Sequence, residues 1–301
     1  MNVHRISEAA PAKLNLHLHV LAQRSDGYHE LDTSFALIDW CDQVEVFLRD
    51  DGQILRLEDQ VGIDEDRDLS VRAARLMQAA CLELGKPCPG VDLRVVKRIP
   101  QGAGLGGGSS DAASVIRLLN RLWALDLDTE HMESIALSLG ADVPLFIRRQ
   151  HALGAGVGEK LRALSLPVAY FVVVIPPISV STAEVFADPK LTRASKALKI
   201  PDSPLWPDFF LGHNDLEAVV VKRYQAVAFA LDRLRKQAIG LNIAPHWPRM
   251  SGSGSSVFCM VRNLAEGLQL EALIRADLAK LDDAVWQVKL VSSSLPALRM
   301  W

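Results

Sequence analysis

The sequence from Pro100 to Ser114 constrains this chain more than any other part, because it reads PQGAGLGGGSSDAAS and places five glycines within seven residues. Apolar and polar residues alternate over 91–99, which predicts a strand before the glycines. Helical spacing of apolar residues over 110–122 predicts a helix after them. Glycines let a loop adopt positive φ and bring backbone amides against an anion, and the helix adds its positive end. The pattern therefore predicts a phosphate-binding loop.

A dinucleotide-binding turn, a P-loop and a flexible linker are also rich in glycine, but each fits this segment less well. The GxGxxG spacing that starts at Gly102 would suit a dinucleotide-binding fold, which requires a second strand ending in an acidic residue about 20 residues further on. Asp126 and Asp128 lie near that distance, but they occupy a polar break between two helical patterns. A P-loop requires lysine where this chain has Gly108, so a lysine that contacts phosphate must come from elsewhere. A flexible linker is rarely flanked so closely by strand and helix patterns.

Four further segments accompany the loop along the chain. They read APAKLNL at 10–16, RSDGYHEL at 24–31, GADVP at 140–144 and MSGSGSSVF at 250–258. With the loop, these segments resemble the GHMP kinases, and within that superfamily the branch that acts in the non-mevalonate isoprenoid pathway. The resemblance implies ATP-dependent phosphorylation of the 2-hydroxyl of a cytidyl diphosphate-linked methylerythritol. Galactokinase, homoserine kinase and mevalonate kinase share the glycine loop but not the DGYH segment.

The resemblance also implies a two-domain α+β fold. An N-terminal nucleotide-binding α+β domain would span 1–158 and a C-terminal α/β sandwich 159–301, with the active site in the cleft between them. The boundary follows the glycine-rich turn that ends at Gly158, and a buried-strand pattern follows at 169–175. We assign no structure to 190–209, which has the composition of a mobile excursion. The other elements predicted from periodicity are strands at 13–20, 43–48 and 54–57 and helices at 69–84 and 129–139.

Composition limits the classes of partner. With 301 residues, 49% of them hydrophobic and 23% charged, the chain is long enough for two cores. A net charge of −3 gives no broad attraction to nucleic acid or to anionic membranes, so we expect neither as a partner. Four cysteines lack CxxC or zinc spacing and indicate reduced thiols. Because no targeting signal and no apolar run of about 18 residues is visible, we expect a cytoplasmic protein.

Two charged residues are expected to catalyse the transfer. The resemblance implies that Asp142 acts as a base towards the acceptor hydroxyl, and that Lys13 orients this carboxylate and offsets negative charge. Little basicity is required, because the nucleophile loses its proton late in a metaphosphate-like transfer. From the residues alone, two alternatives stay open: Lys13 on the solvated face of a strand, and Asp142 as a helix cap or turn residue.

The loop and its neighbours form the predicted ATP site. The amides and the following helix would bind the phosphates, and the hydroxyl of Ser109 or Ser110 would reach phosphate or Mg²⁺. Lys97 would contact phosphate or ribose, or would be an ordinary solvated lysine. His17 and His19 share a strand face, but no acidic or cysteine partner with ligand spacing accompanies them, so we predict no dedicated metal cage. The predicted ATP-binding residues are Lys97, Pro100, Gln101, Gly102, Ala103, Gly104, Leu105, Gly106, Gly107, Gly108, Ser109 and Ser110.

Two segments are expected to recognise the small-molecule substrate through its cytidyl diphosphate group. The resemblance implies a cytosine held between Tyr28 and Phe186 and hydrogen-bonded by His29. It also implies that Thr182 and Asn15 lie near the diphosphate and the polyol. Without the resemblance, Phe186 would more often be a core residue.

Two further motifs leave alternatives open. The SGSGSS segment at 251–256 either approaches the phosphate loop across the cleft or is only a tight entry to a strand. Before the first long helix, the family commonly has Asp-Asn-Leu, whereas this chain reads Arg67-Asp68-Leu69. If backbone groups read the adenine, Asp68 changes little, whereas a side-chain contact would alter nucleotide selectivity.

Overall fold

Two β-sheets organise the chain, and the computed structural model describes residues 5–58, 63–201, 204–244, 246–281 and 285–295. The strands of the first sheet are β1 (Arg5–Gln23), β2 (His29–Arg49), β3 (Ile54–Arg56), β4 (Gly90–Val96), β5 (His151–Gly156) and β6 (Lys160–Leu164). β1 pairs with β2 along almost its whole length, while β4 and β5 pair with different parts of β2. β3 extends the sheet beyond β4, and β6 extends it beyond β5.

Four helices accompany the first sheet. They are α1 (Leu69–Glu83), α2 (Gly107–Leu122), α3 (Thr129–Leu137) and α4 (Val143–Arg148). α2 is the central one, because it packs against β1, β2, α1 and α4. Its residues from Ser110 to Ser114 are all buried, and small side chains there allow close approach to the sheet. The glycine loop therefore precedes the central helix of this half.

The second sheet is smaller and antiparallel. Its strands are β7 (Tyr170–Ile175), β8 (Arg249–Met250), β9 (Val257–Val261) and β10 (Gln287–Ser292), in the spatial order β10-β7-β9-β8. The accompanying helices are α5 (Thr182–Phe186), α6 (Glu217–Arg223), α7 (Gln225–Gly240) and α8 (Leu264–Leu278). α7 packs on β9, and α8 packs on β7 and β10. Within the residues described, no helix is long and apolar enough to cross a membrane.

A shared apolar cluster joins the two sheets. Leu14 and Leu16 of β1 lie in one buried cluster with Phe171 of β7 and Phe258 of β9. Phe209, from a 3₁₀ helix at Trp206–Leu211, completes this cluster. Large buried aromatic side chains contribute strongly to such a core. The expected α+β class is confirmed, and the two halves are held together by β1.

The sheet pairing indicates where the halves separate. The predicted boundary after Gly158 falls in the turn between β5 and β6, which pair with each other in the first sheet. The second sheet begins with β7 at Tyr170. We therefore propose that the domain boundary lies between Leu164 and Tyr170, after the β5–β6 hairpin.

Periodicity located the main elements of the first half but not their lengths. The predicted strands at 13–20 and 43–48 are parts of the much longer β1 and β2. The helix after the glycine loop begins at Gly107, three residues earlier than predicted, because a left-handed Gly106 starts it. Alternation misses long strands when bulges interrupt it, and β1 and β2 shift register at three places.

Residues 190–201 contain neither helix nor strand, yet they are tied to the first sheet. Ser195 N donates to Val20 O over 3.1 Å, and Leu198 N donates to Asp32 Oδ2 over 2.6 Å. Residues 202–203, part of the segment to which the sequence assigned no structure, lie outside the described residues. Residues 190–201 are therefore positioned by β1 and β2.

The apolar core between the first sheet and helices α1 and α2 generates a stability prediction. Leu93 of β4 is 1% exposed among the residues of this core, whereas Leu82, near the end of α1, is 65% exposed. We expect Leu93→Ala to lower the free energy of unfolding by about 2–5 kcal/mol, because it removes buried methyl groups and leaves a cavity. Leu82→Ala should change it by less than about 0.5 kcal/mol. Urea unfolding measures both, and equal effects would contradict the assigned core.

Candidate active site

The glycine loop turns sharply into the N-terminus of α2. Gly102, Gly104 and Gly106 have φ values of +65°, +74° and +72°, a region that other residues disfavour. Helix α2 begins at Gly107, and Ser110 N donates the first hydrogen bond of this turn to Gly106 O over 2.9 Å. The amides before Ser110 have no carbonyl partner within the helix, so this turn can bind an anion.

Close packing explains why two of these positions require glycine. A Cβ on Gly104 would lie 2.6 Å from the carbonyl oxygen of Ser251. A Cβ on Gly106 would lie 2.8 Å from Phe146 Cζ and 3.1 Å from Lys13 Cγ. The loop is therefore packed against a C-terminal turn on one side and against β1 on the other.

The C-terminal turn at 251–256 contacts both the loop and β1. Ser256 N donates to Ala103 O over 3.1 Å. Ser251 Oγ accepts a hydrogen bond from Asn15 N over 3.1 Å. Of the two alternatives that the sequence left open, the structure shows the approach to the phosphate loop.

Lys13 and Asp142 face each other beside the loop. Lys13 Nζ lies 3.4 Å from Asp142 Oδ2 and donates to Asn15 Oδ1 over 2.6 Å. The Lys13 side chain is 6% exposed, so it does not lie on a solvated strand face. Asp142 precedes α4, but its side chain makes no capping hydrogen bond within the described chain and is 36% exposed. The carboxylate is thus oriented by a buried ammonium group and remains accessible to a substrate.

Lys97 lies beneath the loop in a cluster of opposite charge. Its ammonium group forms ion pairs with Asp42 and, at 2.6 Å, with Asp111. Burial alone would lower the pKa of Lys97, but the two carboxylates raise it overall. Burial raises the pKa of Asp111, against the effect of Lys97. A Cβ on Gly107 would lie 3.3 Å from Lys97 Nζ, so this cluster supports the first turn of α2.

A cavity of about 800 Å³ brings most of the predicted site residues together. Those that line it are Lys13, Asn15, Tyr28, His29, Gly104, Gly106, Ser109, Asp142, Thr182 and Phe186. Those that do not are Lys97, Pro100, Gln101, Gly102, Ala103, Leu105, Gly107, Gly108 and Ser110. Of the two candidate hydroxyls, Ser109 lines the cavity, whereas Ser110 is buried and its Oγ has no hydrogen-bond partner among the described residues.

Aromatic rings line another part of the cavity. The rings of His29 and Phe186 are stacked, with centroids 5.0 Å apart and planes inclined by 30°. Tyr28 is 65% exposed, so its ring is free to contact a ligand. Thr182 Oγ1 and Ser253 Oγ share a hydrogen bond of 2.7 Å. The structure thus stacks Phe186 on His29, whereas the sequence paired it with Tyr28.

Sequence reasoning missed one continuous strip of the cavity wall. Beyond the predicted His29, the residues Leu31, Thr33 and Phe35 also line the cavity, from alternate positions of β2. Thr33 Oγ1 accepts a hydrogen bond from Asn15 Nδ2 over 2.9 Å, which fixes that amide beside Lys13. The signal was present as period-two alternation after His29, but the strand was predicted to begin only at residue 43.

A bulge separates the two histidines of β1 from this cavity. The pairing of β1 with β2 shifts register between Asn15 and His17, and Leu18 then lines the cavity in place of the histidines. His17 Nδ1 hydrogen-bonds Ser34 Oγ over 2.8 Å, and His19 Nδ1 donates to a backbone carbonyl. Burial lowers the pKa of His17, although Asp32 raises it in part. Both histidines therefore support the fold beside the site.

Asp68, the departure from the family pattern, has a local structural role. Its Oδ1 caps α1 by accepting from Ser70 N over 2.8 Å. Its Oδ2 pairs with Arg56, whose NH1 lies 3.2 Å away. Both carboxylate oxygens are therefore used by the protein itself.

These features together define a class of protein. A two-sheet α+β fold carries a glycine loop at a helix N-terminus, and a buried lysine with a carboxylate partner faces the same cavity. That combination is typical of a small-molecule kinase of the GHMP type.

Comparison with known proteins supports this class. The model of the GHMP kinase N-terminal domain matches residues 68–150. A relative from Thiobacillus denitrificans is 50% identical over 83% of this chain and 84% of its own. One from Burkholderia thailandensis is 45% identical over 89% of both chains. Both are named 4-diphosphocytidyl-2-C-methyl-D-erythritol kinase. A crystal structure of a 4-(cytidine 5′-diphospho)-2C-methyl-D-erythritol kinase superposes with a TM-score of 0.75 at 32% identity, covering 95% of this chain and 98% of that one.

The chain accordingly belongs to the 4-diphosphocytidyl-2-C-methyl-D-erythritol kinase family within the GHMP kinases. It is an ATP-dependent kinase that acts on a small molecule.

The packing of Gly106 predicts the effect of a side chain in the loop. Gly106→Val should weaken ATP binding by about tenfold or more, because a β-branched residue resists positive φ and its side chain would meet Phe146 and Lys13. Isothermal titration measures the affinity, and circular dichroism verifies folding. Gly240→Ala is the control, since Gly240 lies at the end of α7, does not line the cavity, and its Cβ would meet no atom within 4 Å. A folded Gly106→Val protein with unchanged affinity would contradict the assignment.

Proposed function

We propose that this protein transfers the γ-phosphoryl group of ATP to the 2-hydroxyl of 4-diphosphocytidyl-2-C-methyl-D-erythritol. One observation carries the proposal: a single cavity is lined by the glycine loop, by the Lys13–Asp142 pair and by the rings of His29 and Phe186. The first group suits a nucleotide phosphate, the second a proton transfer, and the third a planar base. The use of ATP supports the cytoplasmic location expected from the sequence.

The catalytic roles follow from exposure and charge. We propose that Asp142, the accessible member of the pair, accepts the proton of the acceptor hydroxyl as transfer proceeds. Lys13 holds that carboxylate and offsets the negative charge that passes between donor and acceptor. Asn15 fixes the ammonium group through its 2.6 Å hydrogen bond, and Thr33 fixes Asn15. The lysine is thus preorganised before substrate binds.

The phosphate site uses backbone more than side chains. We propose that the backbone amides at the start of α2 bind the ATP phosphates, with Gly106 and Ser109 lining the cavity and Gly107 and Gly108 between them in sequence. Mg²⁺ would accompany the phosphates and offset their charge, with the Ser109 hydroxyl as a protein ligand. In the part of the chain that the structure describes, no three histidine, cysteine or carboxylate residues gather to hold a metal. Lys97 would act by supporting the loop from below.

The proposed cytosine site uses the aromatic residues. The base would stack between Tyr28 and Phe186 and hydrogen-bond His29. Because His29 stacks on Phe186 in the free protein, the base would have to share the face of Phe186 with the histidine ring. Thr182 and Asn15, which line the same cavity, would contact the diphosphate and the polyol. Asp68 would leave adenine to backbone groups, since its carboxylate is engaged with Ser70 and Arg56.

The catalytic assignment is tested by removing each charge. Asp142→Asn and Lys13→Met should each lower kcat by about 10²–10⁴-fold, because they remove the proton acceptor or the group that orients it. ATP affinity, measured by titration, should stay close to that of the wild type. Asp50→Asn, at an exposed position, is the control and should keep full activity. Near-normal turnover of both active-site variants would disprove the assignment.

The substrate assignment is tested by comparing acceptors. The wild-type protein should strongly prefer the cytidyl diphosphate compound over free 2-C-methylerythritol 4-phosphate. Tyr28→Ala and Phe186→Ala should each raise KM for the cytidyl compound, because each removes a stacking contact worth about 1–3 kcal/mol of binding free energy. His29→Ala should have a similar effect, because it leaves a polar edge of the base unpaired. KM for ATP should not change. Equal use of both acceptors by the wild type would mean that no cytosine site exists.

A further inference from the structure

Arg193 holds two walls of the proposed base site in place. It lies in the irregular segment after α5 and is only partly exposed. Its Nε donates to His29 Nε2 over 3.0 Å. Its other two nitrogens donate to three backbone carbonyls, those of Phe186 (2.9 Å), Asp188 (2.9 Å) and Leu191 (3.2 Å). One guanidinium group therefore connects the His29 ring to the end of the helix that carries Phe186.

This contact determines which nitrogen of His29 carries the proton. A guanidinium group can only donate hydrogen bonds, so the Nε2 atom that it contacts must carry the lone pair. The neutral ring then has its proton on Nδ1. Burial and the positive charge of Arg193 lower the pKa of His29, which favours the neutral ring. In the described chain Nδ1 has no hydrogen-bond partner, and His29 lines the cavity. His29 thus offers a single fixed N–H donor to a ligand.

A fixed donor distinguishes between pyrimidines. The Watson–Crick edge of cytosine has an acceptor at N3, whereas uracil has an N3–H donor at the same position. A hydrogen-bond donor on the protein pairs with N3 of cytosine but faces the N3–H group of uracil. Two donors that face each other both lack a partner, which is costly. A histidine free to exchange tautomers could instead accept from uracil.

We propose that Arg193 is a positioning and specificity residue, which fixes His29 as an Nδ1–H donor so that the site selects a cytosine over a uracil. The selectivity part of this inference depends on the proposed cytidyl substrate. The tautomer part does not, because it concerns the free protein alone.

The tautomer is tested first, on the free protein. Two-bond ¹⁵N–¹H correlation spectra of ¹⁵N-histidine protein, with His29→Gln used to assign the ring, should show His29 with a protonated Nδ1. Arg193→Ala should lose that pattern and give a mixture of tautomers. A wild-type ring protonated on Nε2 would overturn the proposal without reference to any substrate.

The selectivity is tested with the cytidyl diphosphate substrate and its uridyl analogue. Arg193→Ala should lower the ratio of kcat/KM for the two compounds by about tenfold, mainly through a rise in KM for the cytidyl compound of about three- to tenfold. KM for ATP should stay unchanged. Lys196→Gln is the matched control, because it removes a charge from the same segment at an exposed side chain. It should leave the ratio unaltered.

Two further variants separate the possible failures. Arg193→Lys keeps the charge but has no planar fork to reach the ring and the carbonyls together, so it should give an intermediate ratio even if Arg193→Ala does not fold. Equal losses for the cytidyl and uridyl compounds would mean that Arg193 acts on phosphate or on the loop as a whole, and would overturn the proposal. If His29→Ala also leaves the ratio and KM unchanged, the cytosine site itself is wrong, whatever tautomer the spectra show.

Discussion

Close contact between backbone segments is the constraint on which the site depends. The glycine loop accommodates β1 on one side, where Lys13 N donates to Leu105 O over 2.9 Å, and the C-terminal turn on the other, where Ser256 N donates to Ala103 O over 3.1 Å. A Cβ at Gly104 would separate these segments. Because the loop is fixed by both halves of the chain, its amides and the Lys13 side chain keep one relative position. Preorganisation of this kind is what transition-state stabilisation requires.

The two lysines beside the loop, Lys13 and Lys97, have different carboxylate partners and different roles. Lys97 is enclosed by Asp42 and Asp111, so its charge is used within the protein to stabilise the start of α2. Lys13 is buried more deeply than Lys97, with 6% of its side chain exposed against 21%, but its carboxylate partner Asp142 is 36% exposed and lines the cavity. The difference lies in the partner: a buried pair is satisfied internally, whereas a half-open pair can still exchange a proton with a ligand. The exposed carboxylate of Asp142 therefore distinguishes the proposed catalytic pair from the cluster around Lys97.

Local patterns predicted the loop and the main helices of the first half, and the family resemblance supplied the catalytic and substrate residues that line the cavity. What they did not predict depends on pairing between distant segments. The bulge that turns His17 away from Asn15 is a feature of the β1–β2 register, and no local alternation reveals it. The same register extends β2 back to His29 and so brings Thr33 into the site. Arg193 acts on a ring 164 residues away in sequence, through an irregular segment that carries no periodic signal.

The proposed roles place reaction and substrate recognition on different segments. In that proposal the glycine loop, Lys13 and Asp142 act only on a phosphoryl donor and a hydroxyl, so they place no demand on the rest of the acceptor. In the same proposal the acceptor is distinguished by the rings of Tyr28, His29 and Phe186, which lie just before β2, at its first residue and at the last residue of α5. The three rings can change without disturbing the packing around the loop, because the contacts that fix the loop come from other side chains and backbone groups, among them Asp42, Phe146 and Ser251. A kinase fold of this kind can therefore keep its chemistry while its acceptor changes, and the acceptor has to be inferred from the ring-bearing segments alone.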